Sequence, residues 1–154
     1  MAESKGGGPD ELVELADAVL RVARKLRADP LHHSDVVPLT PLECLVLLHV
    51  HRHPGASPSD LAAELALRPS NTSTALRGLV AKGQVTRMAD PSDARAARLH
   101  VTPEAEHSIA SVRRRWHELL GPAGLPEADL RAALRVLTSI DATLAEPGTV
   151  RARA

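Results

Sequence analysis

Ser57-Pro58-Ser59-Asp60-Leu61-Ala62-Ala63-Glu64-Leu65-Ala66-Leu67 runs directly into Arg68-Pro69-Ser70-Asn71-Thr72-Ser73-Thr74-Ala75-Leu76-Arg77-Gly78-Leu79-Val80-Ala81-Lys82-Gly83. Both halves read as short helices. Ser57 is a capping residue, Pro58 brings the fixed φ of a first helical position, and Asp60 sets an anion against the positive end of the helix dipole. Pro69 opens the second half in the same way, and Gly83 closes it. Leu61, Ala62 and Leu65 form one apolar stripe, and Ala75, Leu76, Leu79 and Val80 another, at helical spacing. The other side of the second helix carries Ser70, Asn71, Ser73, Thr74 and Arg77. Short hydrogen-bonding groups and a fork-shaped cation are the residue types that meet base edges and the phosphates beside them. A polar face is also the ordinary state of a surface helix, so this pattern alone leaves a merely solvated face open.

The residues that follow narrow the choice. Val85-Thr86-Arg87 leads into a segment with turn composition, Asp90-Pro91-Ser92-Asp93-Ala94-Arg95, and Leu99-His100-Val101 leads out with apolar alternation. Two helices, a tight turn and a hairpin with a charged tip make a winged helix-turn-helix, a DNA-reading layout. Between positions 68 and 98, Arg68, Arg77, Lys82, Arg87, Arg95 and Arg98 stand against Asp90 and Asp93, six minus two, or +4, in a chain of formal net charge zero. A basic patch on a neutral chain is a pointed electrostatic signal.

On these residues the chain resembles the MarR (multiple antibiotic resistance regulator) family of bacterial transcription factors. The matching runs are Leu39-Thr40-Pro41, Leu67-Arg68-Pro69-Ser70, Leu79-Val80-Ala81-Lys82-Gly83, Val85-Thr86-Arg87, the wing Asp90-Pro91-Ser92-Asp93-Ala94-Arg95, and Val101-Thr102-Pro103-Glu104. Asp93 and Arg95 carry the most specific piece, the wing's Asp-x-Arg. The resemblance spans about residues 11 to 144. Four positions depart from the family's habit: Thr74 and Ala94 stand where arginines are common, Gln84 where leucine is common, and Arg68 replaces a capping serine. The resemblance implies double-stranded DNA with a pseudo-palindromic operator as partner, and contacts from Ser70, Asn71, Ser73, Thr74, Arg77, Arg87, Asp93 and Arg95. Arg95 at the hairpin tip suits the narrow minor groove, with Asp93 holding its guanidinium. A solvated Asp-Arg pair is the plainer reading of these two.

Outside the module, residues 1–9 read as a Gly-rich polar arm. Asp10 opens a helix with Leu12, Leu15, Ala16, Val19, Ala23 and Leu26 on one side, stopped by Asp29-Pro30. Thr40-Pro41-Leu42-Glu43 is a capping box for a helix holding Leu42, Leu45, Val46, Leu48 and Val50, which His53-Pro54-Gly55 ends. Thr102-Pro103-Glu104 opens another by the same chemistry, with Ala105, Ile109, Val112, Trp116, Leu119 and Leu120 as its stripe. Gly121-Pro122-Ala123-Gly124 breaks it. A last helix from about Pro126 is expected to bury Leu130, Leu134, Leu137, Ile140 and Leu144, before Glu146-Pro147-Gly148 and a loose tail over 147–154.

The fold expected is therefore mainly α with a small β-hairpin wing: a winged helix-turn-helix over 39–102, and terminal helices over 10–38 and 103–146. Three amphipathic helices at the chain's ends can pack as a small bundle within one chain. The resemblance implies instead a homodimer, with the helices of two chains burying each other's stripes and the recognition helices about 34–36 Å apart.

Hydrophobic residues make up 44%, yet Trp116 is the sole aromatic, so the core must be Leu, Val and Ala. No apolar run approaches the roughly 20 residues of a membrane span, which predicts no membrane association. A single cysteine excludes an internal disulfide framework and fits a reducing cytoplasm. Cys44 lies near a helix start, where a thiol pKa falls and redox sensing is favoured, but a small buried hydrophobe is the commoner role. His49, His51 and His53 alternate, a spacing that fans them around a helix, and His32-His33 lie in a loop; no metal site and no cofactor are expected. Trp116 reads as a packing residue or a pocket wall, with Arg114 and His117 near it. No catalytic constellation is visible, so an enzyme is not expected. The function expected is a sequence-specific transcriptional regulator, a repressor released by a small phenolic or lipophilic effector, the effector being implied by the resemblance alone. The alternatives are a winged-helix protein-interaction module without DNA binding, and a redox or metal sensor on the same fold.

Overall fold

The computed structural model describes residues 8–28, 37–90 and 97–145. Its elements are α1 (Pro9–Ala28), α2 (Pro41–Arg52), α3 (Pro58–Glu64), α4 (Pro69–Ala81), β1 (Val85–Ala89), β2 (Ala97–Val101), α5 (Pro103–Leu120), a 3-10 turn (Gly121–Ala123) and α6 (Glu127–Ala145). The expected arm at 1–9 lies outside the described residues save Gly8 and Pro9. So do the loop with His32 and His33, the wing tip with Asp93 and Arg95, and the tail at 147–154.

Helix starts follow local chemistry. Thr40 and Glu43 form the reciprocal capping box expected of them, and Ser57 and Asp60 form a second one. Asp60 sits below its ordinary carboxyl range because the Ser57 hydroxyl and backbone N–H bond it. α5 is capped more simply than expected. The Thr102 hydroxyl accepts from Ala105 N–H, and the same hydroxyl donates to the Gly83 carbonyl at 2.6 Å. That bond ties the start of α5 to the turn after α4, where Gly83 holds φ +67°.

The core sits at the centre of the chain. Val46, Leu47 and Val50 of α2 meet Leu61 of α3, Leu76 and Leu79 of α4, Val85 and Leu99 of the hairpin, and Ile109 and Val112 of α5, all buried. Each leucine so buried contributes about 1.5–3 kcal/mol. β1 and β2 pair antiparallel, with Val85 opposite Val101 and Arg87 opposite Leu99.

Some burial differs from expectation. Val80 is 43% exposed, and Thr72 takes its place on the inner side of α4, its hydroxyl donating to the Arg68 carbonyl. Leu45 faces outward from α2, and Leu120 from α5. α6 was expected to bury its leucines, but in the single chain Leu134 is 57% and Leu137 42% exposed, and Leu130 and Leu144 are exposed with them. Leu12 and Val19 of α1 are exposed as well. Neither α1 nor α6 contributes a residue to the buried core.

Candidate nucleic-acid interface

The turn from α3 to α4 sets the reading surface. Leu67 N–H reaches back to the Ala62 carbonyl at 2.8 Å, and Ala66 takes φ +48°, a left-handed position that usually calls for glycine. Arg68 caps α4 without a side-chain bond, as its departure from a capping serine implies. With Ala75, Leu76 and Leu79 buried, Ser70, Asn71, Ser73, Thr74 and Arg77 are all turned out to solvent. Arg77 donates to the Thr74 hydroxyl at 3.2 Å, which holds the guanidinium along the helix.

Not every cation of the basic patch stays on that surface. Lys82 Nζ bonds Glu43 Oε2 at 2.6 Å, and the Thr40 backbone N–H bonds the same oxygen at 2.7 Å. Burial pushes this carboxyl up, but Lys82 and the Thr40 cap together hold it below the usual carboxylate range. Arg98 Nε bonds the buried Asp90 at 2.6 Å, and its Nη1 reaches the Gly55 carbonyl at 3.1 Å. Lys82 thus clamps α4 to α2, and Arg98 clamps the wing base to the loop before α3. Arg68, Arg77 and Arg87 are exposed and have no ion pair among the described residues. Arg77 and Arg87 line one small cleft with Leu76, Val80 and Ala81, so α4 and β1 present their cations on a shared surface. Asp93 and Arg95 lie outside the described residues.

Sequence reasoning missed the anchors beneath this surface. Gly78 faces Glu43 across the α2–α4 contact: a Cβ there would collide with Glu43 Oε1 and stand 3.3 Å from Cδ. No local pattern announces that contact. Gln84, at a position where leucine is common in the resembled family, is fully buried; its amide nitrogen bonds the Lys82 carbonyl at 3.3 Å and its Oε1 has no partner.

Other expected sites resolve as follows. Cys44 is 2% exposed, and burial together with the neighbouring Glu43 charge pushes its thiol up to about 11, so the helix start does not activate it. His51 lies apart, 3.4 Å from Glu106 and 3.1 Å from Arg113. His49 and His53 do not fan apart: they are four residues apart and their rings stack with centroids 4.6 Å apart, beside Glu64. That spacing was visible in the sequence and was obscured by reading the three histidines as an alternation.

A cavity of about 720 Å³ opens where α1, α2, the α3–α4 turn and α5 meet, with Leu26, Leu42, Leu45, Leu67 and Trp116 among its walls and Arg27 and Thr40 as polar groups. Trp116 therefore walls a pocket while packing on the core. Arg114 and His117 do not line it. No described helix is long and apolar enough to cross a membrane.

Residues 37–96 match the sequence model of the MarR family. Over nearly the whole chain the fold is similar to the crystal structure of a MarR family transcription regulator, at 24% identity, TM-score 0.67, and coverage of 90% of this chain and 95% of that one. It is similar to the transcriptional repressor CouR bound to a 23-mer DNA duplex, at 28% identity, TM-score 0.60, and 92% and 100% coverage. It is similar also to Streptococcus pneumoniae FabT in complex with DNA, at 22% identity, TM-score 0.58, and 88% and 93% coverage. Against curated proteins the sequence finds no match.

Proposed function

We propose that this chain, whose residues 37–96 match the MarR family model and whose fold over nearly its whole length is similar to that of a MarR family transcription regulator, is a sequence-specific DNA-binding repressor. It acts as a homodimer on a pseudo-palindromic operator and leaves DNA when a small lipophilic or phenolic effector binds. The observation that carries this reading is the outward face of α4: Ser70, Asn71, Ser73, Thr74 and Arg77 in one exposed row, with Arg87 of β1 sharing the cleft beside Arg77. In this reading α4 enters the major groove and Arg87 grips the backbone, while Asp93 and Arg95 work at the wing tip. CouR and FabT, each solved with DNA, support it by likeness of fold. The apolar cavity beside Trp116 is where the effector binds. Its walls join α1 and α5 to the α3–α4 turn, so an occupant there bears on how the reading module is held.

The test is a titration of the duplex upstream of the gene, and of a scrambled duplex, at two salt concentrations. Each neutralised phosphate releases counterions with a log–log slope of about −0.9. Wild type should prefer the native duplex and weaken steeply with salt. Arg77→Ala and Arg87→Ala should each flatten the slope by about one per lost phosphate contact. Equal, salt-insensitive binding to both duplexes would sink the reading and leave the α4 face as a protein-interaction surface.

A further inference from the structure

The end of α2 and the end of α3 meet at three side chains that the DNA-reading role does not use. His49 is buried, and its Nε2 makes no hydrogen bond, although it lies 3.4 Å from Glu64 Oε2. A buried ring nitrogen without a hydrogen-bond partner is a costly state that normally calls for an explanation. His53, four residues on, stacks on the His49 ring at 4.6 Å with the planes 28° apart. One ligand atom from each of His49, His53 and Glu64 lies within 4.8 Å of the others. We propose that these three residues form a binding site for a first-row divalent cation of the zinc class, which clasps α2 to α3.

The chemistry fits that class. Two imidazoles and one carboxylate are the three-ligand set of zinc sites that keep a fourth position for water. A tetrahedron with bonds of about 2.05 Å has edges of about 3.3 Å, and the 3.4 Å between His49 Nε2 and Glu64 Oε2 is such an edge. His53 and Glu64 are exposed and can rotate to close the remaining distances, while the buried His49 is fixed by its surroundings. Nitrogen ligands favour zinc, cobalt, nickel and copper over magnesium and calcium. The site stands whether or not α4 reads DNA.

Cobalt(II) is the probe, because its visible absorption intensifies sharply in a tetrahedral site. Tag-free full-length protein should take up one Co²⁺ per chain with such a band, and Zn²⁺ should displace it. His53→Gln and Glu64→Gln change exposed side chains and leave the core intact. Each should weaken Co²⁺ binding by about tenfold or more, since even outer-shell changes cost about 10–100-fold. His51→Gln, which alters a neighbouring imidazole outside the cluster, should leave the titration unchanged. Zn²⁺ should raise the melting temperature of wild type and of His51→Gln but not of Glu64→Gln. No band at millimolar Co²⁺, or a band that survives both His53→Gln and Glu64→Gln, would overturn the proposal.

Discussion

Two buried polar residues hold opposite positions in the energetics of this chain. Gln84 places an amide in the core with Oε1 unpartnered, and an unsatisfied buried acceptor costs about 1–3 kcal/mol. Gln84→Leu should therefore raise stability by about 1 kcal/mol in urea unfolding, its backbone bonds to Leu79 and Thr102 being kept; destabilisation would mean that the amide has a partner the geometry does not reveal. Glu43 is the opposite case, a buried carboxylate with its partners in place. Lys82→Met leaves that charge without its counterion and should cost about 2 kcal/mol. The folded Glu43 carboxyl ionises below its ordinary 4.5, so its contribution is complete above that pH and is lost as pH falls through the folded value. The difference between wild type and Lys82→Met should shrink accordingly when unfolding is repeated from pH 7 downward; a pH-independent difference would assign the effect to packing of the lysine stem. Cys44 takes no part in this balance: with its thiol near 11, about one molecule in a thousand is thiolate at pH 8.

At the scale of elements, legibility followed distance along the chain. Capping boxes at Thr40 and Ser57, prolines at Pro58, Pro69 and Pro103, and the Val85/Leu99 alternation act within a few residues, and each of these starts and pairings lies where the sequence places it. The outward row Ser70–Arg77 was readable because helical period alone fixes it once Leu76 and Leu79 are inside. What was not readable spans long separations: Lys82 to Glu43, Arg98 to Gly55, and Gly78 against Glu43. These contacts recast part of the basic patch as clamps, because a charge count cannot tell a cation facing solvent from one that meets a buried carboxylate. The two kinds of residue on α4 should accordingly act differently on DNA. Asn71→Ala removes a group able to make a bidentate base contact and should change which duplexes are preferred, by about 1–3 kcal/mol at one base pair. Competition against single-base variants of the bound duplex measures this; a uniform loss across all variants would place Asn71 on the backbone instead.

At the scale of the molecule, the exposed leucines and valines of α1 and α6 set the strongest constraint. Leu12, Val13, Val19, Leu20 and Val22 on α1 and Leu130, Leu134, Val136, Leu137 and Leu144 on α6 all face out from the single chain. Monomers rarely leave contiguous apolar patches above a few hundred Å² uncovered, and burying one leucine contributes about 1.5–3 kcal/mol. Helical spacing puts Leu130, Leu134 and Leu137 on one stripe of α6, which suits the seam of a two-fold helical bundle with the same stripe of a second copy. The proposed homodimer gives those side chains a partner. It also places two α4 helices in a fixed relation, which a pseudo-palindromic site requires. Sedimentation at micromolar concentration should return twice the 16.4 kDa chain mass. Leu134→Glu would bury an unpaired charge in that seam and should shift the equilibrium to monomer, with partial loss of solubility. The central module keeps its own core of Leu47, Leu61, Leu76 and Leu79, so the helical content over α2 to α5 should survive in the variant. Operator affinity should fall with the loss of the second reading helix. A wild-type chain that sediments as a folded monomer, or a Leu134→Glu chain that remains a dimer, would place the contact elsewhere or remove it.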